Sequence, residues 1–225
     1  MKKVRYTSPI GIAFFPKLNS PDFTFEKKNG VYETGLILSA EDSKPLLDIC
    51  NEYLEMLKEE VKKDPKTAKK QLKRINDSAK LPYQEETDEE GEPTGNLIWV
   101  FRANAGGTDK EGRKWERKIP LFDAKGNPID PNTVQIWGGS KIRVSFSPSF
   151  YNTAMALGVK FYLEAVQIIE LANYERGAET FGFDTVDGFD VSEYQPKATA
   201  DTEVNEDDED LEEIALDIID DEEEF

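Results

Sequence analysis

Between Lys141 and Ser147 the chain reads KIRVSFS, with Ile142, Val144 and Phe146 alternating with Lys141, Arg143 and Ser145. A strict period of two places the apolar set on one face of a strand and the charged set on the other, so this segment belongs to a sheet with one buried side. Gly138 and Gly139 stand before it as a sharp turn, and Pro148 to Asn152 is expected to be the turn after it. The next segment, from Ala154 to Leu171, has two periodicities. Leu157, Phe161, Ala165 and Ile168 satisfy a helical stripe, while Val159, Phe161, Leu163 and Ala165 alternate. Its β-branched and aromatic content favours a strand. Trp137 to Leu171 is therefore expected to form a long hairpin with one apolar face and one polar, partly basic face, half of a small barrel.

The remaining elements fit a mainly β chain. Ile10 to Phe15 reads as a first strand with a bend at Gly11, and Asn19 to Asp22 as a loop. Lys27 to Gly30 reads as a turn into a strand at Val31 to Leu38. Ser39 to Asp42 has capping-box spacing, and Pro45 suits a first helical turn. Leu46, Ile49, Cys50, Tyr53, Leu57 and Val61 then recur at helical spacing, with Cys50 on the expected buried side. Residues 42–80 are thus expected to be a helical insertion. Lys62 to Arg74 carries seven basic residues against Asp64 alone. It reads as a solvated helix face, as a basic helix near a nucleic-acid backbone, or as a dock for an acidic segment. Glu85 to Glu92 reads as an exposed acidic loop, Gly95 to Asn104 as a strand, Ala105 to Gly112 as a hairpin tip, and Arg113 to Lys118 as a basic return strand. Gly106-Gly107 lacks the GK[ST] signature and the strand–loop–helix setting of a phosphate loop.

Charge divides the chain. The net charge is −18, yet residues 201–225 hold 15 acidic residues and no basic one, and residues 174–200 hold six acidic and two basic, which leaves +1 for residues 1–173. A near-neutral body bearing an anionic tail suggests an interaction tail and a polyanion-binding body. Residues 174–200 read as a linker and 201–225 as a disordered tail. In the tail Leu211, Ile214, Ala215, Ile218 and Ile219 have helical spacing, which suits either a helix that orders on a partner or a plain electrostatic brush. The chain has no histidine and one cysteine. No internal disulfide can form, and the usual general base and commonest metal ligand are missing. No stretch has the length of a membrane span. The expectation is a protein that is not an enzyme, needs no cofactor and has no membrane partner.

Several motifs resemble one family. They are Gly138-Gly139-Ser140-Lys141 before a basic strand and a proline, Asn152-Thr153-Ala154, and LEAVQIIELA at Leu163 to Ala172. Upstream stand Thr7-Ser8 with Gly11 and Ala13, Pro21-Asp22, and GVYETGLIL at Gly30 to Leu38, and the acidic run closes on Phe225. Together they resemble the single-stranded-DNA-binding proteins of podoviruses over most of the chain, with residues 40–95 similar only in general character. The resemblance implies a five-stranded OB barrel over residues 1–173, binding of single strands with little sequence preference, and an acidic tail that engages replication partners such as the phage DNA polymerase and helicase/primase in the cytoplasm of an infected bacterium. It also implies roles in phage DNA replication, recombination and repair. Tail exchange between two bodies would suit a homodimer.

An OB barrel holds single strands with a basic groove that tracks phosphates and aromatic rings that stack on bases. The candidate phosphate contacts are Arg102, Arg113, Lys114, Lys118, Lys141, Arg143 and Lys160, and the candidate stackers are Trp99, Phe101, Trp115, Phe150 and Tyr151. Tyr151 precedes Asn152-Thr153-Ala154 as an aromatic does in the family. Aligned on the family, Ile98 and Val100 match the core, and Trp99 and Phe101 fall where its members carry outward lysines. The candidate partner-binding residues of the tail are Leu211, Ile214, Ile218 and Phe225. The alternative reading is an acidic-tailed chaperone or DNA mimic whose body binds no DNA.

Overall fold

The structure, a computed structural model, describes residues 4–24 and 29–172 and, beyond them, residues 182, 184 and 186–188. In chain order the elements are β1 (Tyr6–Thr7), β2 (Gly11–Asp22), β3 (Val31–Leu38), α1 (Lys44–Lys62), α2 (Pro65–Ser78), β4 (Tyr83–Thr87), β5 (Pro93–Asn104), β6 (Gly106–Thr108), β7 (Lys114–Glu116), β8 (Leu121–Phe122), β9 (Pro128–Ile129), β10 (Lys141–Asn152) and β11 (Leu157–Glu170). The five long strands carry the apolar alternation, and their pairing closes on itself. β2 pairs antiparallel with β3, β3 with β5, β11 with β10, and β10 with β2, while β5 runs parallel to β11. Two of these seams are short: Phe101 and Arg102 meet Phe161 and Tyr162, and Ile12 and Gly11 meet Lys141 and Ile142. This ring is the partly open five-stranded barrel of the OB fold. The helical insertion lies between β3 and β5.

Aromatic side chains fill the barrel. The Phe146 and Phe161 rings lie 4.6 Å apart, and Phe101 packs on both at 5.2 and 5.9 Å. Trp99 stacks on Phe161 at 5.6 Å with the rings 4° from parallel. Leu36, Ile142, Val144 and Leu163 complete a fully buried interior. Each such side chain contributes roughly 1.5–3 kcal/mol relative to exposure.

Helix α1 lies over this core because its apolar residues recur once per turn. Leu46 and Cys50 join the barrel cluster, whereas Leu57 and Val61 pack with Ile75 of α2 and Leu157 of β11. The Ser39 hydroxyl accepts from the Asp42 amide at 3.1 Å, one turn before the helix begins. Ser43, the N-cap, makes no side-chain cap; its buried hydroxyl instead accepts the Trp99 indole N–H at 3.0 Å. Asp64 caps α2 by accepting from the Lys66 amide at 3.1 Å, and Pro65 occupies the first turn, where a missing N–H costs nothing. Burial pushes the Cys50 thiol up to about 11. Iodoacetamide should therefore leave Cys50 unmodified in the folded protein at neutral pH and label it fully in denaturant. Fast labelling of the native chain, followed by mass spectrometry, would show the thiol to be open instead.

The exit of α2 is laced onto the hairpin. The Lys80 amide donates to the Leu157 carbonyl at 2.9 Å, and the Lys80 carbonyl accepts from Val159 at 3.0 Å. Between them Gly158 has φ +152°, and a Cβ built there would sit 2.0 Å from the Lys80 oxygen. Only glycine permits this crossing.

Three segments differ from expectation. Pro148 to Asn152 continues β10 rather than turning, and the turn is Thr153 to Ala156, closed by the Thr153 amide on the Ala156 carbonyl at 2.9 Å. Asn19 to Asp22 stays in β2 after register shifts, with Asn19 bridging to the Pro131, Val134 and Ile136 backbone. Part of the acidic segment forms β4, which pairs with β5, so a run of like charge does not prevent strand pairing at an exposed edge. Among the described residues no helix is long and apolar enough to cross a membrane.

Candidate nucleic-acid interface

A register shift between Ser145 and Phe146 opens the site. Ser145 faces Ala165 and Phe146 faces Leu163, which leaves Glu164 as the extra residue of a bulge. Beyond it the outer face pairs Ser147 with Tyr162, Ser149 with Lys160 and Tyr151 with Gly158. Lys160 is exposed, and its ammonium lies 4.6 Å from the Tyr162 ring centroid and 5.4 Å from that of Tyr151. Both distances are within cation–π range. The parallel seam sets Arg102 beside Tyr162, and β3 sets Glu33 opposite Arg102. Arg102 Nε and Nη2 grip the two Glu33 oxygens at 2.5 and 2.9 Å, although the arginine side chain remains 63% exposed. Lys17 of β2 stands opposite Glu33 in the strand register. One row thus crosses the barrel from Lys17 through Glu33, Arg102 and Tyr162 to Ser147, and Lys160 and Tyr151 continue its outer face along the hairpin. The Glu33 bond raises the Arg102 pKa further, so the guanidinium stays charged.

The row unites three of the expected residues, Arg102, Tyr151 and Lys160. Tyr162 is not among the candidates read from the sequence, although it shares the parity of Lys160 and so has to share its face.

Other candidates are placed elsewhere. Trp99 and Phe101 are corrections: both are 0% exposed in the barrel core, and Arg102 marks the opposite, outward parity. A ring without an open face cannot take a base. Phe150 is also corrected. It points to the inner side of the hairpin, where it packs against the cluster of Leu57, Val61, Ile75 and Leu157. Arg143 is on the outer face but eight residues from Tyr151, roughly 26 Å away at ~3.3 Å per residue. It is part-buried, with Nε 3.4 Å from the Ser8 carbonyl. Lys141 lies further along and is paired with Glu170 at 2.6 Å. Arg113 is held by Asp109 at 2.7 Å and Glu111 at 3.1 Å. Lys114, Trp115 and Lys118 are exposed on or next to β7, which pairs with β6 in a separate two-stranded sheet. There the Trp115 ring rests on Gly107, where a Cβ would meet it at 2.8 Å, and the Arg117 guanidinium lies 5.7 Å from the ring centroid. The tail candidates Leu211, Ile214, Ile218 and Phe225 lie outside the described residues.

Fold and face together define the class: an OB-fold protein whose outer surface interleaves exposed cations with tyrosines, the residue types that nucleic-acid-binding members of the fold use. The chain belongs to the family of the single-stranded DNA-binding protein of bacteriophage T7, whose model matches residues 11–171. This is a family of binding proteins and not of enzymes. The single-stranded DNA-binding protein of enterobacteria phage T3 is 29% identical over 209 residues, covering 85% of this chain and 88% of that protein. Its counterpart from Escherichia phage T7 is 27% identical over 217 residues, covering 88% and 90%. The crystal structure of the T7 protein, gp2.5, superimposes with a TM-score of 0.59 at 21% identity, over 89% of this chain and all of that one.

Proposed function

We propose that this chain binds single-stranded DNA along the row formed by Arg102, Tyr162, Lys160 and Tyr151. The observation that carries the reading is Lys160 set between two tyrosine rings on an open barrel face. Tyr162 and Tyr151 offer stacking surfaces that any base can use, and Lys160 and Arg102 offer charge to the phosphates between them. Arg102 exchanges Glu33 for a phosphate when DNA arrives, one bidentate anion for another. Little sequence preference follows, because every base has a π-face. The protein coats exposed strands during phage DNA replication, recombination and repair in the cytoplasm of the infected bacterium.

The tail completes this reading. Its 15 acidic residues resemble a DNA backbone in charge. Joined to the body through residues 174–200, it is expected at about millimolar effective concentration near the basic face, so it competes with DNA. Once released, Leu211, Ile214, Ile218 and Phe225 dock on the polymerase or helicase/primase. Exchange of tails between two bodies would make a homodimer. A fluorescence titration with an unstructured oligonucleotide tests both parts. The full chain should bind saturably and lose affinity as salt rises. A chain ending at Ala200 should bind more tightly, most of all at low salt, where the Debye length is about 30 Å at 0.01 M against about 10 Å at 0.1 M. Absence of binding by either chain would overturn the proposal, and equal affinities at low salt would remove tail competition from it.

A further inference from the structure

Helix α2 carries five basic side chains against one acid, Asp77. At 3.6 residues per turn Lys66, Lys69, Lys70 and Lys73 fall within an arc of about 100°, and Ala68, Leu72, Ile75 and Ala79 fall on the opposite side. The burial agrees, for the four lysines are exposed, Ile75 is buried and the other three are part-buried. The helix hairpin is electrostatically divided. Lys58, Lys62 and Lys63 are each bonded to a glutamate three residues earlier, at 2.7, 2.5 and 2.5 Å. Among the described residues none of the four α2 lysines enters an ion pair. Unneutralised like charges at i,i+3 and i,i+4 destabilise a helix slightly, so their persistence on one stripe asks for an anion that is not part of the helix.

The stripe also begins where the tyrosine row ends. Arg74 Nη1 donates to the Thr153 carbonyl at 3.1 Å, and the Asn152 side-chain amide donates to Gln71 Oε1 at 2.6 Å. Asn152 is the residue after Tyr151. The middle of α2 is thus bonded to the tip of the hairpin that carries Tyr151 and Lys160, and the crossing at Gly158 holds the helix exit to the same hairpin. From this junction the lysines run toward the helix N-terminus, while Asp77 stands one turn in the other direction.

We infer that α2 is a second segment of the single-strand path: beyond Tyr151 the strand leaves the barrel and lays its phosphates along Lys73, Lys70, Lys69 and Lys66. The segment takes phosphodiester backbone by charge alone, since the stripe has no aromatic residue to read bases. It rests on the proposed barrel site and lengthens it by about 11 Å, the helical rise from Lys73 to Lys66.

The test uses the full chain, a variant with Lys66, Lys69, Lys70 and Lys73 all changed to Gln, and one with the same four changed to Arg, titrated with oligo-dT of about 5 and about 16 nucleotides. The Gln variant should match the parent on the short oligonucleotide and bind the long one about tenfold more weakly at low salt. Its salt slope on the long one should be shallower by about 0.7 for each lysine that meets a phosphate. The Arg variant should behave as the parent, and far-UV circular dichroism should show helix content unchanged in both. Equal loss on both lengths, or no loss on either, overturns the inference. Tighter binding of the short oligonucleotide by the Gln variant also overturns it, because the lysines would then be holding the acidic tail. If the parent binds neither length, the barrel site itself has failed, a result distinct from all of these.

Discussion

Trp99→Ala should destabilise the protein by about 3–5 kcal/mol, the cost of emptying a large aromatic site in a packed core. For a body of this size that lowers the melting temperature by roughly ten degrees. Trp99 is fully buried, stacked on Phe161 and tilted against Tyr83 with 4.7 Å between centroids. Its indole N–H satisfies the buried Ser43 hydroxyl where α1 begins. The substitution therefore removes one of the contacts that seat the helical insertion on the barrel as well as the ring itself. Trp99→Phe should recover most of the packing but leave Ser43 without its donor, a residual cost of about 1–3 kcal/mol. Affinity for an oligonucleotide, corrected for folded fraction, should be unchanged in both variants. A variant of near-parental melting temperature with lost affinity would return Trp99 to the DNA-facing surface and invert the assigned faces of β5.

The faces of β5 are where local pattern fails to decide. Val31 to Leu38 is legible to the residue, because the turn residues Lys27 to Gly30 before it and the capping-box spacing of Ser39 to Asp42 after it frame it on both sides. The spacing of Leu46, Cys50, Leu57 and Val61 likewise sets the buried side of α1 from the sequence alone. In Asn96 to Asn104 both parities are largely apolar, so periodicity cannot choose between Ile98 with Val100 and Trp99 with Phe101. The choice is made by Ser43, which lies 56 residues away and supplies the hydroxyl that the indole needs. Phe150 misleads for a related reason. A proline inside Pro148 to Asn152 suggests a turn, yet Pro148 pairs in register with Phe161, and Phe150 inherits inward parity from that extension. The docking of α2 on the hairpin tip joins Gln71 and Arg74 to Asn152 and Thr153, about 80 residues on, and no local pattern records it.

The largest effect on binding should come from the two tyrosines of the row. Tyr151→Ala and Tyr162→Ala should each cost about 1–3 kcal/mol if each ring stacks a base, which is about 5- to 150-fold in affinity. On the strand the two positions are four residues apart by register, roughly 13 Å at ~3.3 Å per residue. The backbone positions suit two different bases, but both rings lie within reach of the Lys160 ammonium, so the losses should depart from strict additivity in the double variant. Lys160 is the one shared partner, since its ammonium reaches both rings. A double-mutant cycle in the Lys160→Met background should therefore bring the sum closer to strict additivity. Lys160→Met alone should weaken all sequences alike and reduce the salt slope by about 0.7. Tyr→Phe at either position keeps the ring and should keep the affinity, which separates stacking from any hydrogen bond by the hydroxyl. Both tyrosines are part-buried on the outer face, so their removal should move the melting temperature far less than Trp99→Ala does. Should either alanine variant lose several degrees of stability and none of its affinity, that ring packs the sheet and the DNA passes elsewhere on the barrel.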